Sequence, residues 1–341
     1  MSFARRSFLT AAGLLTAGLP LGHFFAAPAQ AQESVSLTLV SYAVTRAAYD
    51  NIIPQFVEQW KEETGQDVRI EASYAGSGTQ TRAILDGLEA DIAALALALD
   101  TQRLEEGGLI EPGWEDETAN GSIVTRSVAV IVTREGNPLG IEDWDDLAEE
   151  GIEVVTANPK TSGGARWNFL SLWGHQSLVQ GAPEEVALDF TTRVYQNVGV
   201  LPRDAREATD TFFQKGQGDA LINYENEVLL ANLQGEDLPY VIPSSSISID
   251  NPVAVVDEIV DKKGTREVAE AFVAFLFTPE AQREFAAVGF RPVNEEVAAE
   301  FADQYPEIEN LYTVEDLGGW DAVQETFFDD GAIFDDIQAQ L

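Results

Sequence analysis

The 341-residue sequence contains no cysteine. That absence excludes a disulfide framework, a thiolate metal site and a lipid-modified N-terminal Cys. Histidine is almost as scarce, with two in the whole chain. Basic residues are few: 20 Lys+Arg stand against 58 Asp+Glu, for a formal net charge of −38. Nucleic acid and anionic membrane surfaces are therefore poor partners. The acids are spread along the chain rather than gathered in a tail, as on a highly charged solvated surface that stays soluble in strong salt. We expect an acidic, halophilic protein.

Motifs of catalysis are also missing. There is no H-E-x-x-H, no P-loop and no G-x-G-x-x-G after a strand. The AGSG at 75–78 has the wrong spacing for a nucleophile elbow. Asp143, Asp145 and Asp146 resemble half of a calcium loop, but the Gly and terminal Glu are out of register. An acidic first helical turn accounts for them better. His175, late in a helix that starts at Gly163, is expected to face solvent near the helix end. The expectation is a protein that is not an enzyme, with no metal and no cofactor.

The first 31 residues have a basic start, an apolar middle and small residues at Ala29 and Ala31. That is an export signal with cleavage expected after Ala31. Arg5-Arg6 followed by Ser7-Phe8-Leu9 is similar to a twin-arginine signal, with an ordinary secretory leader as the alternative. Beyond it, 18 basic residues remain against 58 acids, a net of −40. No later window approaches the ~20 apolar residues that span a bilayer. A soluble periplasmic monomer is the expectation.

Strand-like and helix-like runs then alternate. SLTLVSY (36–42), DVRIEASY (67–74) and the apolar DIAALALAL (91–99) read as strands. Residues 45–65 read as a helix with Ile52, Phe56 and Trp60 on one face, and Pro54 as its kink or true start. Residues 76–88 turn into a second helix. The β-α-β-α-β order implies a parallel sheet covered by helices. It restarts with the strand SVAVIVTRE (127–135), then EVVTA (153–157), helices from Gly163 and Pro183, GVLPRDA (199–205), the helix TDTFFQKG (209–216) and DALINYENEVLLANL, a strand followed by a helix. PVAVVDEIV (252–260) reads as a second crossing strand, with two helical runs after it. Two α/β lobes follow, each a mostly parallel sheet flanked by helices. Lobe I takes 32–125 plus 252–341, with the tail after Arg291 unassigned within that scheme, and lobe II takes 126–251.

Three places have a loop or strand meeting a helix start: Tyr42-Ala43-Val44-Thr45, Gly76-Ser77-Gly78 and Ser162-Gly163-Gly164. Free N–H groups and the positive dipole end favour an anion there. Any one alone is explained by a Ser or Thr cap with Gly for the turn. Three together, at expected strand C-terminal ends in both lobes, point to a ligand.

SYxxTR (41–46), AGSGTQ (75–80), NPKTSGGARWN (158–168), DAREATDTF (204–212), GDALINYENE (218–227) and GGWDAVQETFF (318–328) resemble the periplasmic sulfate-binding proteins of ABC transporters, with thiosulfate-binding relatives. The likeness runs through essentially the whole chain after the leader. It implies a two-lobed type II periplasmic binding protein fold, one sulfate (or thiosulfate, or another tetrahedral oxyanion) buried between the lobes, and delivery to a membrane permease. It also implies neutral donors. By this resemblance the ligand-binding residues are Ala43, Ser77, Ser162, Gly163, Gly164, Ala205 and Tyr224. Three departures stand out. Ala43 replaces an Asp, DARE replaces a glycine-containing loop and brings Glu207 close, and Tyr224 replaces an indole.

Overall fold

The computed structural model describes residues 34–236 and 239–341. The expected leader over 1–31, with its arginine pair, lies outside the described residues. Among the described residues no helix is long and apolar enough to cross a membrane.

The first half runs β1 (Val35–Tyr42), α1 (Arg46–Thr64), β2 (Val68–Ala75), α2 (Ser77–Leu85), β3 (Ile92–Ala94) and α3 (Ala98–Glu106). It continues through β4 (Ile123–Ser127), β5 (Ala129–Thr133), β6 (Val154–Val155), α4 (Gly163–Gly174), α5 (Glu184–Gln196) and β7 (Val198–Val200). Then come α6 (Ala205–Phe213), β8 (Ala220–Tyr224), α7 (Glu225–Leu233), β9 (Tyr240–Val241), β10 (Ser245–Ile247) and β11 (Ile249–Val255). The last part holds α8 (Asp257–Lys263), α9 (Arg266–Phe275), α10 (Pro279–Ala287), β12 (Arg291–Pro292), α11 (Glu295–Glu300), β13 (Asn310–Tyr312), α12 (Gly319–Val323) and α13 (Ile333–Gln338).

Two main sheets result, ordered β12-β4-β11-β3-β1-β2 and β7-β6-β8-β5-β9. Strand membership passes from the first sheet to the second between Ser127 and Ala129, and returns with β11. Both sheets are mixed. β1 pairs parallel with β2 and β3, and β6 with β7 and β8. The chain that returns as β11 runs antiparallel to both β3 and β4, and β5 runs antiparallel to β8 and β9. The crossings themselves cause this, because a strand arriving from the other sheet has no helical crossover to turn it parallel.

Ile52, Phe56 and Trp60 are buried on one face of α1, as their spacing predicts. Pro54 is neither its start nor its end. It lies on the exposed face, eight residues into a continuous helix, where the carbonyl it deprives, that of exposed Asp50, can turn to water. The apolar run 91–99 is a strand only to Ala94. It then bends, and Ala98 begins α3. Burial on all sides makes strand and helix look alike in an apolar run.

The tail packs on the helices of the second sheet. Phe327, Phe328 and Phe334 lie 5.5, 5.3 and 6.1 Å from Phe169 of α4, centre to centre. Phe327 also lies 4.8 Å from Trp173, and Phe334 5.6 Å from Tyr195. Each buried aromatic of this kind contributes about 1.5–3 kcal/mol, so the tail is an integral wall. Lys160 fastens it by donating to the Phe328 carbonyl at 3.1 Å and pairing with Asp335 at 2.7 Å.

Candidate functional site

Each helix start named above has a local cause. The Ser41 and Thr45 hydroxyl oxygens lie 2.8 Å apart, and Ser41 donates to the Ala94 carbonyl at 2.6 Å. Thr45 donates back to the Tyr42 carbonyl at 2.8 Å. These hydroxyls fold the turn at Ala43 and tie it to β3. At α2, the Ser77 hydroxyl donates to buried Asp100 at 2.5 Å and accepts from the Ala96 amide at 3.0 Å. Its oxygen is spent on structure, so the first-turn amides of Ser77 and Gly78 are what remains.

At α4, Ser162 caps the helix by accepting from the Ala165 amide at 3.3 Å. Its own amide is bound to the Asn158 carbonyl at 2.9 Å. The hydroxyl proton and the amides of Gly163 and Gly164 are left for a ligand. At α6, Asp204 caps by accepting from the Glu207 amide at 2.9 Å. Asn223 and Thr209 both donate to the Ala205 carbonyl, at 3.0 and 3.1 Å, and fix where that turn sits.

These starts converge. Ala43, Ser77, Ser162, Gly163, Gly164, Ala205 and Tyr224 all line one small cavity, with Tyr42, Val44, Ala75, Gly76, Ala96 and Asp204. The space open to the centre of a water-sized sphere is only about 10 Å³. It suits one compact ion and little else. Helix starts at Ala43, Ser77, Gly163 and Ala205 point their positive ends into it. At about half an elementary charge each, four starts balance roughly a dianion. No lysine or arginine lines the cavity, and Asp204 is its one charged residue. That carboxylate faces away, toward its own helix and Arg203 at 3.3 Å.

Tyr224 ends β8 and is fully buried, and its hydroxyl has no hydrogen-bond partner among the described residues. Burial, and then the charges of Glu227 and Asp100, push its pKa well above the usual phenol range. It is a neutral O–H donor on the cavity lining.

Two sequence-based expectations change, while Glu207 comes close as expected: it lies on the wall of a wider groove beside the cavity and not of the cavity itself. Its carboxylate accepts from the Arg203 amide at 3.0 Å and turns back on its own loop. His175 is not solvent-facing but 2% exposed. It follows α4 in a stretch of wider helix, His175–Val179, hydrogen-bonds Ser245 through Nδ1 and accepts from Gln180 at Nε2, both at 2.8 Å. The α4 segment is buried along its whole length, so its end is no more exposed than its middle. Helix α6 starts at Ala205, four residues before the periodicity predicts, because Asp204 supplies the cap.

Sequence reasoning missed Asp100, which holds Ser77 in place. Its signal was a lone carboxylate closing an apolar run. Arg166 and Lys160, inside the NPKTSGGARWN motif, point to the tail rather than the cavity: Arg166 donates to Gln324 at 3.0 Å.

The family described as bacterial extracellular solute-binding protein matches residues 37–291. The chain is 60% identical over 311 residues to the sulfate-binding protein of Synechocystis sp., covering 91% of this chain and 88% of that one. It is 40% identical over 332 residues to the thiosulfate-binding protein of Pseudomonas aeruginosa, covering 96% and 98%. Among solved structures, the sulfate-binding protein SubI from Mycobacterium tuberculosis aligns with a TM-score of 0.79 at 39% identity, over 86% of this chain and all of that one. By model and by relatives, this chain belongs to the bacterial extracellular solute-binding proteins, in the family that contains the sulfate- and thiosulfate-binding proteins.

Proposed function

We propose that the protein captures sulfate outside the cytoplasm and delivers it to the permease of an ABC transporter. The observation that carries this reading is the small cavity at four helix starts, with the unpartnered Tyr224 hydroxyl beside it. The amides of Ala43, Ser77, Gly163, Gly164 and Ala205, with the hydroxyls of Ser162 and Tyr224, are the donors. Neutral, pre-oriented dipoles hold a dianion without a counter-cation because they need no reorganisation once water is excluded. Sulfate carries no proton at neutral pH and asks only for donors. Hydrogen phosphate would leave its proton unpaired, which costs about 1–3 kcal/mol in a buried site.

The protein acts as a receptor and not an enzyme, as a monomer, and is exported by the twin-arginine route into a saline medium. Thiosulfate is the second reading, favoured by the relatives of that name. A panel of sulfate, thiosulfate, phosphate, molybdate and chloride in thermal unfolding and calorimetry tests both. A ligand bound only by the native state raises its stability by RT ln(1 + [L]/Kd). Sulfate should give the largest rise. Tighter phosphate than sulfate binding overturns the assignment.

A further inference from the structure

A wider groove abuts the small cavity and shares Ala43, Ala75, Gly76 and Asp204 with it. By the same measure it holds about 440 Å³ against about 10 Å³. It is therefore a space in which an ion keeps its water. Its wall carries Arg46, Arg203, Arg206 and Lys215. Four of the chain's few cations on one groove is a local reversal of charge. With Asp204, Glu207 and Asp210 also on the wall, the groove stands at +1 by count where the whole sequence stands at −38.

The four cations differ in what they are free to do. Arg206 is held by buried Glu227 at 2.6 Å, and Arg203 by Asp204 at 3.3 Å and Glu207 at 3.5 Å. No ion pair joins Arg46 or Lys215 to a carboxylate among the described residues. The Arg46 guanidinium lies 4.4 Å from the centre of the Tyr74 ring, and the Lys215 ammonium donates to the Thr211 hydroxyl at 3.2 Å. Arg46 begins α1, beside the first sheet, and Lys215 follows α6, beside the second.

The geometry points to a second, outer oxyanion site in this groove, where Arg46 and Lys215 hold a hydrated divalent oxyanion by charge before the inner cavity takes it up on neutral donors. The inference rests on the oxyanion reading above and deepens it. The inner cavity has dipoles and no cation, and the field of a dipole fades faster with distance than that of a charge. Attraction beyond the cavity rim must come from full charges. Those of Arg46 and Lys215 act over about 10 Å at 0.1 M salt, which is the scale of the groove. A cleft with charge of one sign on its walls raises the on-rate for the opposite ion by ~10- to 1000-fold. The low end applies here, because the groove is open and partly neutralised by its own acids.

The test uses the intact chain. Calorimetry with sulfate first establishes binding. Stopped-flow tryptophan fluorescence then gives association and dissociation rates. At low ionic strength, Arg46→Gln/Lys215→Gln should lower the association rate about 3- to 10-fold and leave the dissociation rate unchanged. Glu207→Gln and Asp210→Asn should raise the association rate, which no loss of folding can imitate. High salt should shrink both differences. A wild type that binds no sulfate removes the function reading and the outer site with it. A wild type that binds, with association rates indifferent to both sets of variants or with the change confined to dissociation, removes the outer site alone.

Discussion

A Cβ placed on Gly164 would sit 2.5 Å from Cε2 of Tyr224 and 3.1 Å from its hydroxyl oxygen. The ring, and not the backbone angle, holds position 164 to glycine: its φ is not in the left-handed region. Gly164→Ala must push Tyr224 aside. Overpacking of this kind costs roughly 1–3 kcal/mol, although alanine is otherwise the better helix residue by about 1 kcal/mol. We expect urea unfolding to show a net loss and sulfate affinity to fall about tenfold or more, the worth of one hydrogen bond to a charged group. Wild-type affinity in this variant would place the ligand elsewhere.

Tyr224→Phe separates stability from binding. The hydroxyl has no hydrogen-bond partner among the described residues, so its removal should leave stability within about 1 kcal/mol or raise it. Sulfate affinity should drop about tenfold or more. The phenol's pKa is raised well above its usual value, so the O–H is kept from about pH 6 to 9, and affinity should be flat across that range. A raised folded-state pKa means the fold holds this proton more tightly than the unfolded chain does. That stability is complete below about pH 10 and is lost as pH rises beyond it. Tyr42 is raised in the same way. Alkaline titration of unfolding should therefore steepen above about pH 10, less so in Tyr224→Phe.

The two serines should part company. Ser77 spends its hydroxyl on Asp100 and the Ala96 amide. Ser77→Ala leaves a buried carboxylate short of a donor and should cost about 1–3 kcal/mol in unfolding. Ser162→Ala removes a cap worth about 0.5–2 kcal/mol and also a ligand donor. Calorimetry should show the larger affinity loss in Ser162→Ala. Equal affinity losses would mean that both hydroxyls reach the ligand.

Arg291 grips Glu225 with two bonds, 2.7 and 2.9 Å, joining β12 of the first sheet to the start of α7 beside the second. Burial raises the Glu225 pKa and Arg291 lowers it, with the net upward. Arg291→Leu strands a buried carboxylate and should cost about 3–5 kcal/mol near pH 7. An acid raised in the fold contributes less stability as pH rises through its folded pKa, and without Arg291 that pKa climbs further. The variant's deficit should thus shrink toward acid pH. A deficit constant with pH would mean the arginine acts through packing alone.

The helices and most strands were readable because their burial is periodic, as at Ile52, Phe56 and Trp60. What escaped was set by distant partners. IVTRS reads as polar until β11 and β12 flank it as β4. The tail's phenylalanines name no destination until Phe169 and Tyr195 are opposite them. At the cavity, the residue types of a helix start are local and legible, and all seven expected positions come to one place. Ser41 and Thr45 were equally visible in the SYxxTR motif. That they shape the Ala43 turn follows only from β3 lying alongside.

The Ala96 carbonyl accepts from two directions, from Asn251 of β11 at 3.1 Å and from the Trp167 indole of α4 at 3.0 Å. Asn251 belongs to the same sheet as the strand leading to Ala96, and Trp167 stands on a helix of the other. Should the sheets part, the carbonyl keeps one partner and the indole passes to water. The bond across the gap is a spare for the carbonyl, so parting the sheets would leave Ala96 with its hydrogen bond made.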